Sequence, residues 1–80
     1  MIISYVFITS HLDQETSLAE YIKKLREVDE VMITTGTSDV ICRVVTETLE
    51  DLYKFTIEEL EKRPEIIDMR TSVVTKEINV

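Results

Sequence analysis

Gly36-Thr37-Ser38-Asp39 is the stretch of this sequence whose residue types best fit a small polar ligand. A short turn that fixes a carboxylate beside backbone amides and hydroxyls can hold a zwitterion. The carboxylate takes an ammonium group, and amides or hydroxyls take a carboxylate. Gly36, the only glycine, stands where a tight turn calls for positive φ. Thr71 and Ser72 offer two more hydroxyls. The candidate ligand residues are therefore Gly36, Thr37, Ser38, Asp39, Thr71 and Ser72. The same residues also suit plain architecture. Gly-x-x-Asp is a common turn, Asp can close it through an Asx bond, and Thr is at home in strands.

Little else in the sequence suggests chemistry. His11 is the only histidine and falls in a loop with no nucleophile or carboxylate at a telling spacing. One His and one Cys do not make a metal site. The acids at 50, 51, 58, 59 and 61 point to several azimuths of a helix and read as a solvated face. Phosphate-binding loops and dinucleotide fingerprints are absent. No catalytic residue, metal or cofactor is expected. A net charge of −7 disfavours the phosphate backbone of nucleic acid. Tyr5 and Phe7 share a strand face, but Ile41, Cys42 and Arg43 stand where an RNA-binding sheet would show further aromatics. Cys42, the lone cysteine, sits in an apolar run and reads as a small buried hydrophobe in a reducing compartment. Apolar runs stay short of membrane-spanning length, and Met1-Ile2-Ile3-Ser4-Tyr5 has neither the basic region nor the cleavage site of a signal peptide. The expected location is the cytoplasm, with no membrane and no direct nucleic-acid partner.

The elements that must position the turn emerge when the chain is offset on itself by 35 residues. Tyr5-Val6-Phe7 then falls on Val40-Ile41-Cys42; Leu18, Ile22 and Leu25 fall on Tyr53, Ile57 and Leu60; Glu30-Val31 falls on Glu65-Ile66. Each half reads strand, helix, strand, so residues 1–80 form one domain of the ferredoxin-like βαββαβ plan. Residues 2–9 predict a strand apolar on both faces, with Ile3, Tyr5 and Phe7 on one and Ile2, Val6 and Ile8 on the other. Asp13, or a Ser17–Glu20 capping box, would start a helix running to about residue 26 and burying Leu18, Tyr21, Ile22 and Leu25. Strands are expected over 30–35, 40–45 and 66–78. A second helix over 49–62, capped by Thr48 and stopped by Pro64, would bury Leu49, Leu52, Tyr53, Thr56 and Leu60. Ile57 falls at the margin of that stripe and Phe55 off it.

The expected architecture is α+β: a four-stranded antiparallel sheet, strands 1 and 3 central, with two helices on one face. Two helices cover only that face. The other would leave alternate apolar residues of strands 1 and 3 in water, so a dimer through the sheets is expected.

Thr35-Gly36-Thr37-Ser38-Asp39, leading into Val40-Ile41-Cys42-Arg43-Val44, resembles the Gly-x-x-Asp signature of the Lrp/AsnC effector domain, also called the RAM domain. Leu25-Arg26-Glu27-Val28-Asp29-Glu30-Val31 is similar to that family's link into its second strand. Arg63-Pro64-Glu65-Ile66 resembles its turn into strand 4, with Glu65 where Gly is usual, and Arg70-Thr71-Ser72-Val73-Val74 resembles its Thr-rich last strand. Ser38 stands where the family often has an aromatic. The resemblance implies a regulatory amino-acid-binding and oligomerisation module and not an enzyme: homodimers joined into rings, with a free amino acid bound between dimers near the turn. Full-length members place a helix-turn-helix ahead of this domain; here strand 1 begins at Met1 or Ile2, so a stand-alone member is expected, with full-length Lrp/AsnC regulators as possible partners. Three rivals are weighed against it. An ACT-like regulatory domain shares the topology but lacks its Gly-containing loop at Ser10-His11-Leu12-Asp13-Gln14. A purely structural module would pair with full-length regulators. A small dimeric ferredoxin-like enzyme would need a polar group in a cavity between sheet and helices.

Overall fold

Alternation in the two apolar runs sets the architecture. The computed structural model describes residues 1–80 and has β1 (Ile2–Ser10), α1 (Glu15–Ile22), β2 (Val28–Ile33), β3 (Val40–Thr46), α2 (Leu49–Phe55) continued by a π-helical segment (Thr56–Leu60), and β4 (Ile66–Val73). The four strands form one antiparallel sheet in the order β2-β3-β1-β4, a ferredoxin-like α+β fold. Ser4, Val6 and Ile8 of β1 and Val40, Cys42 and Val44 of β3 are fully buried, packed with Leu18, Ile22, Leu52, Phe55 and Leu60 from the helices. Their neighbours Ile3, Tyr5, Phe7, Ile41, Arg43 and Val45 point the other way, onto a face that no helix covers, and are only partly buried. Burial pushes the Cys42 thiol up to about 12, and a backbone hydrogen bond from Val6 offsets this slightly.

Caps follow the expected chemistry at one helix and not at the other. Thr48 Oγ1 accepts from the Asp51 amide at 3.1 Å, the N-cap bond of α2. At α1 neither expected cap forms. Asp13 adopts a left-handed φ of 64°, Gln14 takes the cap position without a side-chain bond, and Ser17 Oγ donates to the Gln14 carbonyl. α1 also stops at Ile22, short of residue 26. The Lys24 and Leu25 amides bond back three residues to Tyr21 and Ile22, and that tighter turn lets β2 begin at Val28. β4 ends at Val73, well before residue 78. The Val74 amide reaches the Ile3 carbonyl, and β1 offers no strand beyond Ile2.

The phase of α2 differs from the α-helical reading. Phe55 is 3% exposed and belongs to the core, whereas Leu49 is 52% and Tyr53 71% exposed. At 3.6 residues per turn, Leu60 would lie about 80° round from Leu52. The π-helical segment, with the Glu61 amide bonding five residues back to Thr56 at 2.9 Å, unwinds that angle. Leu60 is thereby brought onto the face of Leu52, Phe55 and Thr56, and Leu49, Tyr53 and Ile57 turn outward.

Candidate functional site

Backbone strain and long-range tethering both converge on residues 36–39. Gly36 has φ 102°, in the region that favours glycine, and a Cβ there would meet nothing within 4 Å; the demand is conformational and not one of space. The Thr34 amide donates to the Asp39 carbonyl at 2.9 Å and Thr34 Oγ1 to the Ser38 carbonyl at 2.9 Å, closing the turn from both sides. The Asp39 amide donates to the Ile8 carbonyl at 2.8 Å, and the Ser10 amide donates to Asp39 Oδ2 at 2.9 Å. The carboxylate is thus pinned to the end of β1, a strand 29 residues away in sequence. Thr9 Oγ1 adds a long bond to the Thr37 carbonyl at 3.4 Å.

Two sets of groups at the turn are unspent. Asp39 Oδ1 takes part in no hydrogen bond or ion pair within the chain, although Asp39 is half-buried. The amides of Thr35, Gly36, Thr37 and Ser38 donate to nothing within it either. A held carboxylate beside a run of free N–H groups can take an ammonium and an anion together. Ser38 is buried under the turn, while Gly36 and Thr37 face solvent.

Thr71 and Ser72 are placed differently. Both are exposed on β4, paired with Val6 and Tyr5 of β1. Thr71 therefore points to the helix side of the sheet and Ser72 to the open side. The turn lies at the Ile8–Ser10 end of β1 and Ser72 opposite Tyr5, on the order of 15 Å along the strand. One chain does not bring Thr71, Ser72 and Asp39 together. The larger surface concavities lie elsewhere too. One of about 530 Å³ is walled mainly by charged groups such as Arg26, Glu47, Asp51 and Glu58.

A second polar cluster anchors the turn into β4. Arg63 grips Glu65 with two bonds, Nε to Oε1 at 3.1 Å and Nη2 to Oε2 at 2.8 Å, and its guanidinium lies 4.0 Å from the Tyr21 ring centroid. The Tyr21 hydroxyl lies within bonding distance of both the Glu59 carbonyl (3.0 Å) and Glu59 Oε1 (3.1 Å). Burial, then the Glu59 carboxylate, holds that hydroxyl above its usual value. Arg63 holds the Glu65 carboxyl below the usual range, and the Glu65 carbonyl takes the His11 amide at 2.9 Å. A lowered folded value stabilises the fold above the unfolded Glu value, about 4.3, and the gain is lost as pH falls through the folded value. Glu65→Gln removes that gain. The urea-midpoint gap between parent and variant should be widest near neutral pH and close as the pH drops below about 4. A pH-independent gap would assign the loss to packing instead.

The chain belongs to the Lrp/AsnC ligand binding domain family, whose sequence profile matches residues 4–79; this is not an enzyme family. An uncharacterized HTH-type transcriptional regulator of Pyrococcus abyssi is 30% identical over 74 residues, which are 92% of this chain and 47% of that protein. The chain thus spans about half the length of the curated relative it matches. The crystal structure of a hypothetical protein of Pyrococcus horikoshii superposes with a TM-score of 0.90 at 30% identity, covering 96% of this chain and 93% of that one. A transcriptional regulator of Neisseria meningitidis, solved as a complex with L-Met, superposes with a TM-score of 0.89 at 20% identity, covering 99% of this chain and 53% of that one. The match to that regulator shows a shared fold. No helix of the chain is long and apolar enough to cross a membrane.

Proposed function

We propose that this chain senses a free amino acid at the turn over residues 36–39 and couples binding to assembly. The observation that carries this reading is the pairing of a pinned but half-unspent Asp39 carboxylate with the free amides of residues 35–38. Asp39 Oδ1 takes the ligand ammonium, and amides near Gly36 take its carboxylate. The side chain of the ligand then projects away from the chain, where a second copy closes over it. Thr71 and Ser72, too far along β4 to serve their own turn, contribute from that second copy. The L-Met complex of the Neisseria meningitidis regulator supports an amino acid as the class of ligand.

Assembly begins at the open sheet face. Ile3, Tyr5, Phe7, Ile41 and Val45 form an apolar surface there, with Arg70 5.8 Å from the Phe7 ring centroid and Arg43 paired to Asp29 at its border. A second copy packed face to face covers it as an isologous dimer. Dimers then join around the ligand into tetramers or rings. Acting on full-length Lrp/AsnC regulators through the same faces is the regulatory output.

A thermal-shift screen against the twenty amino acids tests the reading. A ligand at ten times its Kd adds about 1.4 kcal/mol, which for a domain of this size raises Tm by several degrees. At least one amino acid should do so at millimolar concentration, and sedimentation should show a heavier species with it. Twenty flat melting curves would overturn the sensor and leave a module that only pairs with itself or with other regulators.

A further inference from the structure

Asp68 sets a second carboxylate level with the turn over residues 36–39. It stands opposite Thr9 in the pairing of β4 with β1, and cross-strand partners share a face with their Cβ atoms about 5 Å apart. That face is the open one, because Thr9 alternates with the buried Ile8 and Ser10. The turn curls over the same residue. Thr9 Oγ1 lies 3.4 Å from the Thr37 carbonyl. Asp39 flanks Thr9 from the β3 side, its amide bonded to the Ile8 carbonyl and its carboxylate to the Ser10 amide. Asp39 sits between the buried Ser38 and Val40, so it too turns to the open side. The two aspartates thus flank Thr9, two strand spacings or roughly 10 Å apart at the backbone. Nothing in the chain neutralises Asp68, which is exposed and in no ion pair. Arg70, the next residue of β4 on that face, leans on the Phe7 ring, 5.8 Å from its centroid, and His11 beyond the end of β1 forms no ion pair either.

We propose that Asp68 reads the side chain of the bound amino acid and selects a basic one, an inference that rests on the amino-acid reading of the turn. With its ammonium on Asp39 and its carboxylate on the free amides, the ligand sends its side chain out on the open side of the sheet. A lysine-like ligand carries a second cation on a flexible four-carbon stem, which lies across Thr9 and brings the charge to Asp68. The pair there is charge-assisted, and its acceptor has no competing cation within the chain. A neutral side chain gains nothing from Asp68. Thr71 and Ser72 do not share this placement, since they lie further along β4.

Calorimetric titration of the full chain with L-lysine and with L-methionine, a neutral side chain of similar length, tests this. Lysine should bind the parent about tenfold more tightly than methionine or better. Asp68→Asn should weaken lysine by about that factor, leave methionine unchanged and so erase the preference, with the melting temperature unaltered. Glu50→Gln removes the same charge from the exposed side of α2 and should change neither affinity. That control separates a local contact from the general pull of a chain with net charge −7 on any cation. Methionine binding the parent as tightly as lysine overturns the proposal and leaves the turn site standing. Lysine affinity that is unchanged in Asp68→Asn, or lost equally in Glu50→Gln, does the same and makes Asp68 only a charge on an edge strand. If lysine fails to bind the parent the proposal falls, and silence from all twenty amino acids removes the amino-acid reading with it.

Discussion

Val6→Asp should abolish the fold. Val6 is 0% exposed on central strand β1, between Cys42 on β3 and Thr71 on β4, and belongs to the hydrophobic core cluster. Its neighbour Cys42 is likewise 0% exposed, so that layer offers no water to solvate a charge. A carboxylate there must neutralise. Holding an Asp protonated at pH 7 against an ordinary value of about 3.9 costs roughly 4 kcal/mol before any loss of packing. A domain of this size has about 4–12 kcal/mol in total. Far-UV circular dichroism of the variant should show an unfolded chain at neutral pH, with partial recovery as the pH falls toward 4 and the unfolded-state advantage of ionisation disappears. A Val6→Asp chain that melts within a few degrees of the parent would mean that β1 does not run through the core.

Phe55→Ala should be nearly as damaging. Phe55 is 3% exposed and packs with Leu52 and Leu60, so its loss leaves a cavity and forfeits about 3–5 kcal/mol. Ile57→Ala, on the outward side of the π-helical segment, should cost only a small fraction of that. Urea unfolding of the two variants checks the pair. If Ile57→Ala proved the more severe, the helix would be in its simple α-helical phase and the π-helical segment would be wrong.

That segment marks where a sequence reading reaches its limit. Strands β1 and β3 were legible because an apolar run on both faces of a short segment has few other uses. Thr48 and Gly36 were legible because a cap and a positive-φ turn each demand a particular residue type. Helix phase was not, since one wide turn between Phe55 and Leu60 shifts every azimuth after it, and no residue type signals such a turn. The end of β4 was not legible either, because it depends on where β1 starts, seventy residues away. At the site, Gly36 and Asp39 could be picked out by type. The Ser10 amide that pins Asp39 carries no side-chain signal, and the four free amides of residues 35–38 are backbone groups that composition cannot show. The separation of Thr71 from Ser72 was implicit all along, because neighbours on a strand face opposite sides. How far they lie from the turn needed the register of β1 with β4.

The central claim is that the Asp39 charge holds a ligand ammonium, and Asp39→Asn tests it more cleanly than Asp39→Ala. Asn keeps an oxygen that can accept from the Ser10 amide, so the turn stays closed while the charge is removed. Calorimetric titration of parent and Asp39→Asn with the amino acid that gives the largest thermal shift is the decisive measurement. The account predicts saturable binding to the parent and at least a tenfold weaker Kd for the variant, about 1.4 kcal/mol, with its melting temperature little changed. Equal affinity in the two proteins would show that the carboxylate only closes the turn, and would contradict the site.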